Sequence, residues 1–307
     1  MRKAISIFLS VLLLAAAGSA QEKKLKVYIS ADMEGIGGVA TWQVQAAPGA
    51  SEYEKFRRLM TLEVNAAIAG AFEAGATEAV VSDSHWNGQS IDVELLDPRA
   101  QLVRAMPRPL GMMQGIDGTF DAVIFVGYHA SEGTPAAILS HSMSSARIAE
   151  IRLNGVPVPE AGFNAAVAGE FGVPVVFLSG DQAIAEQARE LLGPIETVVV
   201  KRATGFYSAT MISPAESRRL IQEGVKRAVE SRKERKPYRC THPVKLEITF
   251  KNIVDAELVS YLPNVARPRG TTIVVELRDM IEAVRFQEAV LGINTFPRNA
   301  PDSQRER

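Results

Sequence analysis

Leu25-Lys26-Val27-Tyr28-Ile29-Ser30-Ala31-Asp32-Met33-Glu34-Gly35 passes from a run of strand-forming residues into a turn, with two acids at the junction. Side chains two apart in an extended chain point the same way, so Asp32 and Glu34 can aim both carboxylates at one point above the strand's end. Gly35, Gly37 and Gly38 free the backbone to turn sharply behind them. Taken alone, the pair has two readings: a site for something positive, or two solvated turn residues. A polar loop through Trp42, Pro48 and Gly49 follows. Tyr53, Phe56, Met60, Val64, Ala67, Ile68, Ala71 and Phe72 then recur at spacings of three and four, closed by Gly75. That spacing predicts an amphipathic helix. Glu78-Ala79-Val80-Val81-Ser82 reads as the next strand, and strand, helix, strand implies a parallel pair with a right-handed crossover.

The second strand runs into Asp83-Ser84-His85. A short strand near 101–104 and a short helix near 110–115 precede 122–126, apolar throughout like a strand buried on both faces, which ends in Gly127-Tyr128-His129. The apolar run 136–139 ends in Ser140-His141-Ser142. Alternation at 148–153, then Asn154-Gly155 and 156–158, predicts a hairpin, with Glu160 after it at the head of a small-residue helix. An apolar strand at 174–178, a helix capped by Asp181 and a strand at 197–201 complete this part. Ser213-Pro214-Ala215-Glu216 carries the cap, the first-turn proline and the third-position acid of a long helix reaching about Arg235. Strand 244–250, helix 252–261, strand 271–277 and helix 279–291 follow. The expected fold is α/β. A largely parallel sheet with helices on both faces occupies 21–212, a smaller C-terminal α+β domain 213–296, and a frayed tail 297–307.

Residues 1–20 have the marks of a signal peptide: Arg2 and Lys3, an apolar run at 5–14, and Gly18-Ser19-Ala20 as cleavage site. The expected mature protein is exported, periplasmic or extracellular, without stable membrane insertion; a retained N-terminal anchor is the alternative. Cys240 is the single cysteine of 307 residues, so no intramolecular disulfide supports the fold, and 47% hydrophobic residues must supply the core. A net charge of −1 gives no reason to expect nucleic acid or an anionic membrane as partner. The arginines and lysines of 213–235 alternate with Glu216, Glu223, Glu230 and Glu234, the pattern of a solvated or subunit-contacting face.

Of four histidines, three directly follow an apolar strand or run, as Asp32 and Glu34 also do. The carboxyl ends of parallel strands face one edge of a sheet, where ligands bind. His85, His129, His141 and the acid pair should therefore converge there, with Glu160 arriving after the hairpin. Mixed imidazole and carboxylate suits zinc or a neighbouring transition metal rather than calcium or magnesium. Three carboxylates and two or three imidazoles exceed the needs of one open zinc site and fit two metals about 3.5–4 Å apart, bridged by one carboxylate. Asp32 is the expected bridge. Asp83 is a candidate partner for His85, or a cap or turn residue; Trp42 and Trp86 flank the site as pocket or packing residues.

These motifs, Ser30-Ala31-Asp32-Met33-Glu34-Gly35, Asp83-Ser84-His85, Gly127-Tyr128-His129, Ser140-His141-Ser142-Met143 and Glu160 with Gly162-Phe163-Asn164-Ala165, resemble in order those of the DppA-type zinc D-aminopeptidases. The resemblance runs from Leu25 to about Leu291. It implies a binuclear zinc site at Asp32, Glu34, His85, His129 and Glu160, with His141 as the catalytic histidine. It also implies hydrolysis of short peptides bearing an N-terminal D-residue such as D-alanine, and a homo-oligomer, a ring-stacked decamer. Manganese or cobalt are alternative metals. The export signal departs from the cytoplasmic archetype, and the location suggests peptidoglycan-derived D-alanyl peptides. Two other functions compete: a two-metal amidase, esterase or phosphoesterase, and a non-enzymatic exported peptide-binding protein serving a transporter. No Gly-x-Ser-x-Gly, His-Glu-x-x-His or Walker loop is present.

Overall fold

The computed structural model of the chain describes residues 24–293. The expected signal peptide and the tail from 297 lie outside the described residues. Twelve strands and six α-helices follow in order. They are β1 (Lys26–Ala31), α1 (Tyr53–Glu73), β2 (Glu78–Asp83), β3 (Ala100–Val103), β4 (Ala122–Tyr128), β5 (Ile148–Leu153), β6 (Val156–Pro157), α2 (Glu160–Glu170), β7 (Val175–Asp181), α3 (Gln182–Leu192), β8 (Glu196–Gly205), β9 (Ser208–Met211), α4 (Pro214–Glu230), β10 (Val244–Phe250), α5 (Ile253–Val259), β11 (Ala266–Arg269), β12 (Thr272–Leu277) and α6 (Met280–Gly292).

A seven-stranded sheet has the order β3-β2-β1-β4-β7-β8-β9. All its pairs are parallel except β8 with β9. The central strands are apolar on both sides because both sides are covered. Val27, Ile29 and Ala31 of β1 join Ile124 and Val126 of β4 in a core completed by Phe56, Met60 and Val64 of α1 and Ile221 and Val225 of α4. Tyr28, Val123 and Phe125 point the other way, into a second core with Phe163 of α2 and Ile184 of α3. Helices thus lie on both faces, as the periodicity predicts.

The second sheet, β11-β12-β10-β5-β6, is antiparallel. In β10 the alternate residues Val244, Leu246, Ile248 and Phe250 are buried, and they share the core of Phe125 and Phe163. The two sheets therefore enclose one common core, and no layer ends at residue 213. Strands β5 and β6, expected in the larger unit, pair with β10. Helix α4, expected in the smaller unit, packs on α1 over the parallel sheet. Hydrophobic period predicts each element but not its partner across the chain, which is why the division by sequence differs.

Other differences are local. Residues 136–139 form turns rather than a strand, with Ala136 and Leu139 at φ 51° and Met143 at φ 58°. A π-helical turn, Trp42–Ala46, occupies the expected polar loop, and a 3-10 turn, Gly111–Met113, the expected short helix. Helix α4 stops at Glu230, followed by a 3-10 turn at Arg232–Glu234. Part of its charge is paired, Arg219 with Glu216 and Glu223, and Arg227 with Glu196. Among the described residues no helix is long and apolar enough to cross a membrane.

Candidate metal centre

The strand order reverses between β1 and β4, the position at which open α/β sheets bind ligands beyond the strand ends. The ends are level: Ala31 pairs with Asp83 on one side and Val126 on the other. Asp32, Glu34, His85 and His129 leave these three strands within a few residues, as expected. Two glycines let the loops pass. A Cβ on Gly35 would lie 2.0 Å from the Tyr128 carbonyl oxygen, and one on Gly127, at φ 72°, 2.2 Å from that of Asp32. Glu160 is the first residue of α2 and points back from it.

His141 reaches the cluster from a loop, not from a strand end. Its loop is held by bonds to several elements, Gln182 on the Ala136 carbonyl and the Met143 amide on Glu160 among them. The Ile138 amide donates to Asp181 Oδ2 (2.8 Å), that of Leu139 to the Phe206 carbonyl (3.2 Å), and that of His141 to the Ala130 carbonyl (3.1 Å). Its ring lies parallel to that of His129, with centroids 3.9 Å apart.

Six side chains meet in two groups, Asp32 with Glu34 and His85, and His129 with His141 and Glu160, the ligand-type atoms of each group lying within 4.8 Å of one another. His85 Nδ1 is 3.1 Å from Asp32 Oδ1 and 2.9 Å from Glu34 Oε2. His129 Nε2 is 3.3 Å from Asp32 Oδ2 and 3.5 Å from Glu160 Oε1. Asp32 thus offers one oxygen to each group. His141 Nε2 lies 3.7 Å from Glu160 Oε1, and its side chain, 16% exposed, is the one member of the six open to solvent.

Each imidazole commits its other nitrogen to a main-chain carbonyl. His85 Nε2 meets the Ala46 carbonyl at 2.9 Å, His129 Nδ1 that of Ala130 at 3.0 Å, and His141 Nδ1 that of Leu139 at 2.8 Å. A carbonyl only accepts, so these nitrogens carry the hydrogens. The opposite nitrogens of the neutral rings are therefore lone pairs facing carboxylate oxygens. That arrangement is repulsive unless a cation or a proton stands between, and among the described residues the buried His129 Nε2 has these carboxylate oxygens near it but no partner in hydrogen-bond geometry. Nitrogen and oxygen donors converging in this way fit zinc.

The protonation balance of the cluster reflects the same crowding. Burial, then the charge of Glu34, raises the Asp32 carboxyl above its ordinary value. Burial works against charge on Glu34 and Glu160, but His85 and His129 respectively outweigh it and hold both carboxyls low. Burial likewise opposes charge on His85 and His129, and the adjoining carboxylates, Glu34 first for His85 and Glu160 for His129, raise both well above the ordinary histidine value. The same carboxylates that favour a proton on these imidazoles would favour a metal ion, and the two compete for the ring nitrogens.

Asp83 makes no hydrogen bond to His85, whose ring nitrogens go to Asp32, Glu34 and the Ala46 carbonyl. Its Oδ2 accepts the Ile91 amide at 2.6 Å and orders the loop that follows His85. Trp42 lies beside His85, ring centroids 5.7 Å apart, whereas Trp86 is 59% exposed. His242 binds Glu170 at 3.0 Å, away from the cluster.

The D-aminopeptidase (peptidase M55) family model matches residues 25–289, the span of both sheets. The chain belongs to the D-aminopeptidase family. Similar to it is a D-aminopeptidase of Bacillus subtilis (strain 168), 37% identical over 260 residues that make up 84% of this chain and 94% of the relative. A solved structure, a Zn-dependent D-aminopeptidase DppA from Bacillus subtilis and a self-compartmentalizing protease, aligns with a TM-score of 0.85 at 35% identity, covering 88% of this chain and 97% of its own.

Within this D-aminopeptidase, two buried residues of the site's surroundings carry no mark in the sequence. Lys201, at the end of the apolar run of β8, donates to the carbonyls of Glu34, Ile36 (3.0 Å) and Val39 (2.6 Å). Glu63 of α1 accepts the Gly37 amide at 3.0 Å and the Ser217 hydroxyl at 2.5 Å on one oxygen. Burial pushes the Lys201 ammonium down to about 8 and the Glu63 carboxyl up to about 7.

Proposed function

We propose that this chain is a zinc-dependent aminopeptidase that removes an N-terminal D-residue, of the D-alanine type, from short peptides by means of two zinc ions. Asp32, Glu34 and His85 would hold one ion, and His129 and Glu160 the other, with Asp32 shared. Carrying this reading is the arrangement of the imidazoles, each tied to a main-chain carbonyl with its remaining lone pair turned toward carboxylates. Family membership and the Zn-dependent relative support the metal and the substrate class. Zinc bound there supplies Lewis acidity, polarising a peptide carbonyl and lowering the pKa of water toward about 7.

His141 has the two properties of a base. Its Nε2 lone pair is set by the bond from Nδ1 to Leu139, and its ring is reachable from solvent. It takes a proton from water as the oxygen adds to the scissile carbonyl carbon. It returns that proton to the departing nitrogen as the C–N bond breaks. The products are the free D-amino acid and a peptide shortened by one residue. Burial of Glu34, Glu160 and the two inner histidines keeps bulk water from the donors.

The experiment is a substrate panel on the purified protein, with and without chelator. D-alanyl peptides should be cleaved only with metal, and L-peptides and phosphate esters should not. Preferred hydrolysis of a phosphate ester or a simple amide would replace the aminopeptidase reading. Export and self-association belong to the same proposal, the first from the N-terminal pattern and the second from the relative's self-compartmentalizing assembly, with a decamer as the expected form. Light scattering and N-terminal sequencing of the secreted protein check them.

A further inference from the structure

We propose that Lys201 is a positioning residue for the half of the site built on Glu34: its ammonium fixes the course of the 34–39 turn and so the direction of the Glu34 carboxylate. The inference rests on the zinc reading above and adds to it a residue from a remote strand.

Lys201 is 2% exposed and its amino nitrogen faces three carbonyl oxygens, those of Glu34, Ile36 and Val39. An ammonium has three N–H donors, so each finds one acceptor and none is left over. Among the described residues no carboxylate is hydrogen-bonded to it. A buried cation so placed costs folding free energy; a methionine of similar volume would fill the space without burying a charge, but would leave the three carbonyls without their donor. The residue therefore contributes nothing to packing that an apolar side chain could not. What the ammonium does uniquely is draw together three carbonyls of one turn, the first of which belongs to Glu34.

The distance spanned makes the same point. Lys201 is on β8, and Glu34 follows β1, with β4 and β7 between. Strands of a sheet lie about 4.8 Å apart, so β1 and β8 are roughly 14 Å apart, beyond the reach of a lysine side chain. The turn closes the gap by crossing the end of β4, where Gly35 N bonds the Gly127 carbonyl at 2.7 Å. Glu63 grips the turn from the amide side through Gly37, and Lys201 grips it from the carbonyl side. With both ends of these peptide units held, the backbone under Glu34 is fixed, and with it the direction in which the Glu34 side chain leaves toward His85. Asp32 is held separately, through its own amide on the Val126 carbonyl at 2.9 Å, and among the described residues the hydrogen bonds and close polar contacts of His129 and Glu160 go to Asp32, Ala130, His141, Met143 and each other rather than to the turn. Loss of Lys201 should therefore affect one metal position and spare the other.

Zinc titration of the chelator-treated full chain tests this, with circular dichroism confirming the fold of each variant. Lys201→Met should weaken one of two zinc affinities at least about tenfold and leave the other within about twofold. Lys201→Arg, which keeps a cation and its donors, should recover part of the loss. In the double variant with Glu34→Ala, removing Lys201 should cost nothing further, because it acts through Glu34. Unchanged affinities in Lys201→Met, equal weakening of both, or additive losses in the double variant would overturn the proposal. Should the methionine variant not fold, Lys201→Arg decides: selective weakening of one position supports the proposal, and no selectivity overturns it. His85→Ala separates the two levels of the argument. If it binds zinc as the parent does, the zinc reading itself is wrong; if it loses a site while Lys201→Met keeps both, only the role of Lys201 is wrong.

Discussion

Asp32 places one carboxylate oxygen at His85 and the other at His129, so its removal touches both halves of the cluster. Asp32→Ala should lose both zinc ions together, whereas Glu34→Ala should keep one, as counted by metal analysis after dialysis. Equal and independent losses would show that the shared ligand is another residue. His141→Ala should retain its zinc and lose at least about 100-fold in turnover, the lower end of acid–base contributions; undiminished turnover would remove it from catalysis. Glu63 gives a prediction in pH. Its carboxyl titrates at about 7 in the folded protein against 4.5 unfolded, because burial favours the neutral form. Between these values the folded state binds the extra proton, so this group's contribution to stability is present below about 4.5 and is lost as pH rises through 7. Glu63→Gln removes that dependence. Its stability relative to the parent should rise between pH 5 and pH 8 by up to about 3 kcal/mol, measured from urea midpoints. At this scale the sequence told most about acids and histidines beside strand ends, since a strand followed by a polar residue is a local pattern. Lys201 and Glu63 had no such pattern, because each acquires its role from a turn far away in the chain.

Helix α2 shows how an element aims a side chain. It is buried along nearly its whole length, which its alanines and glycines permit, and Glu160 stands at its first position. One turn on, Asn164 donates to the Tyr128 hydroxyl at 3.0 Å, and that hydroxyl meets Ser30 Oγ at 2.7 Å. The buried Tyr128 hydroxyl thus ties α2 to β4 and β1 directly beneath the cluster. Tyr128→Phe removes one bond each from Ser30 and Asn164, which keep Ser84 and Met112 as partners, and should destabilise the protein by about 0.5–1.5 kcal/mol in thermal or urea unfolding. The elements legible in advance were those whose pattern is internal: the apolar strands β1, β2, β4 and β7, the stripe of α1, and the capped start of α4. Strands β9 and β11 are short edge strands, Ser-Ala-Thr-Met and Ala-Arg-Pro-Arg, and only pairing reveals them. The 136–143 loop misled for the opposite reason, since its apolar residues are buried in turns and not in a ladder.

Over the whole molecule, the parallel sheet sets the site by its strand order, and the second sheet closes the core beneath it. The α/β class and the convergence at the strand ends followed from sequence; the shared core did not, because β5 and β10 lie about ninety residues apart and neither names the other. A site that joins loops after β1, β2 and β4 to the head of α2 should also bind the fold together when loaded. Chelation should lower the melting temperature, and the value should climb with free zinc concentration as binding to the folded state predicts. A melting temperature indifferent to both would argue against any metal in the native state.

The carbonyls of Ala46, Ala130 and Leu139 orient the three imidazoles. In many zinc sites that task falls to carboxylate side chains, which a single codon change can delete. Here it belongs to the peptide bond, which every residue possesses. The orienting shell is therefore hereditary in shape and not in letters. Ala46, Ala130 and Leu139 are buried, so packing rather than hydrogen bonding limits what can replace them, and a scan of side-chain hydrogen bonds alone would pass over half of what holds the site.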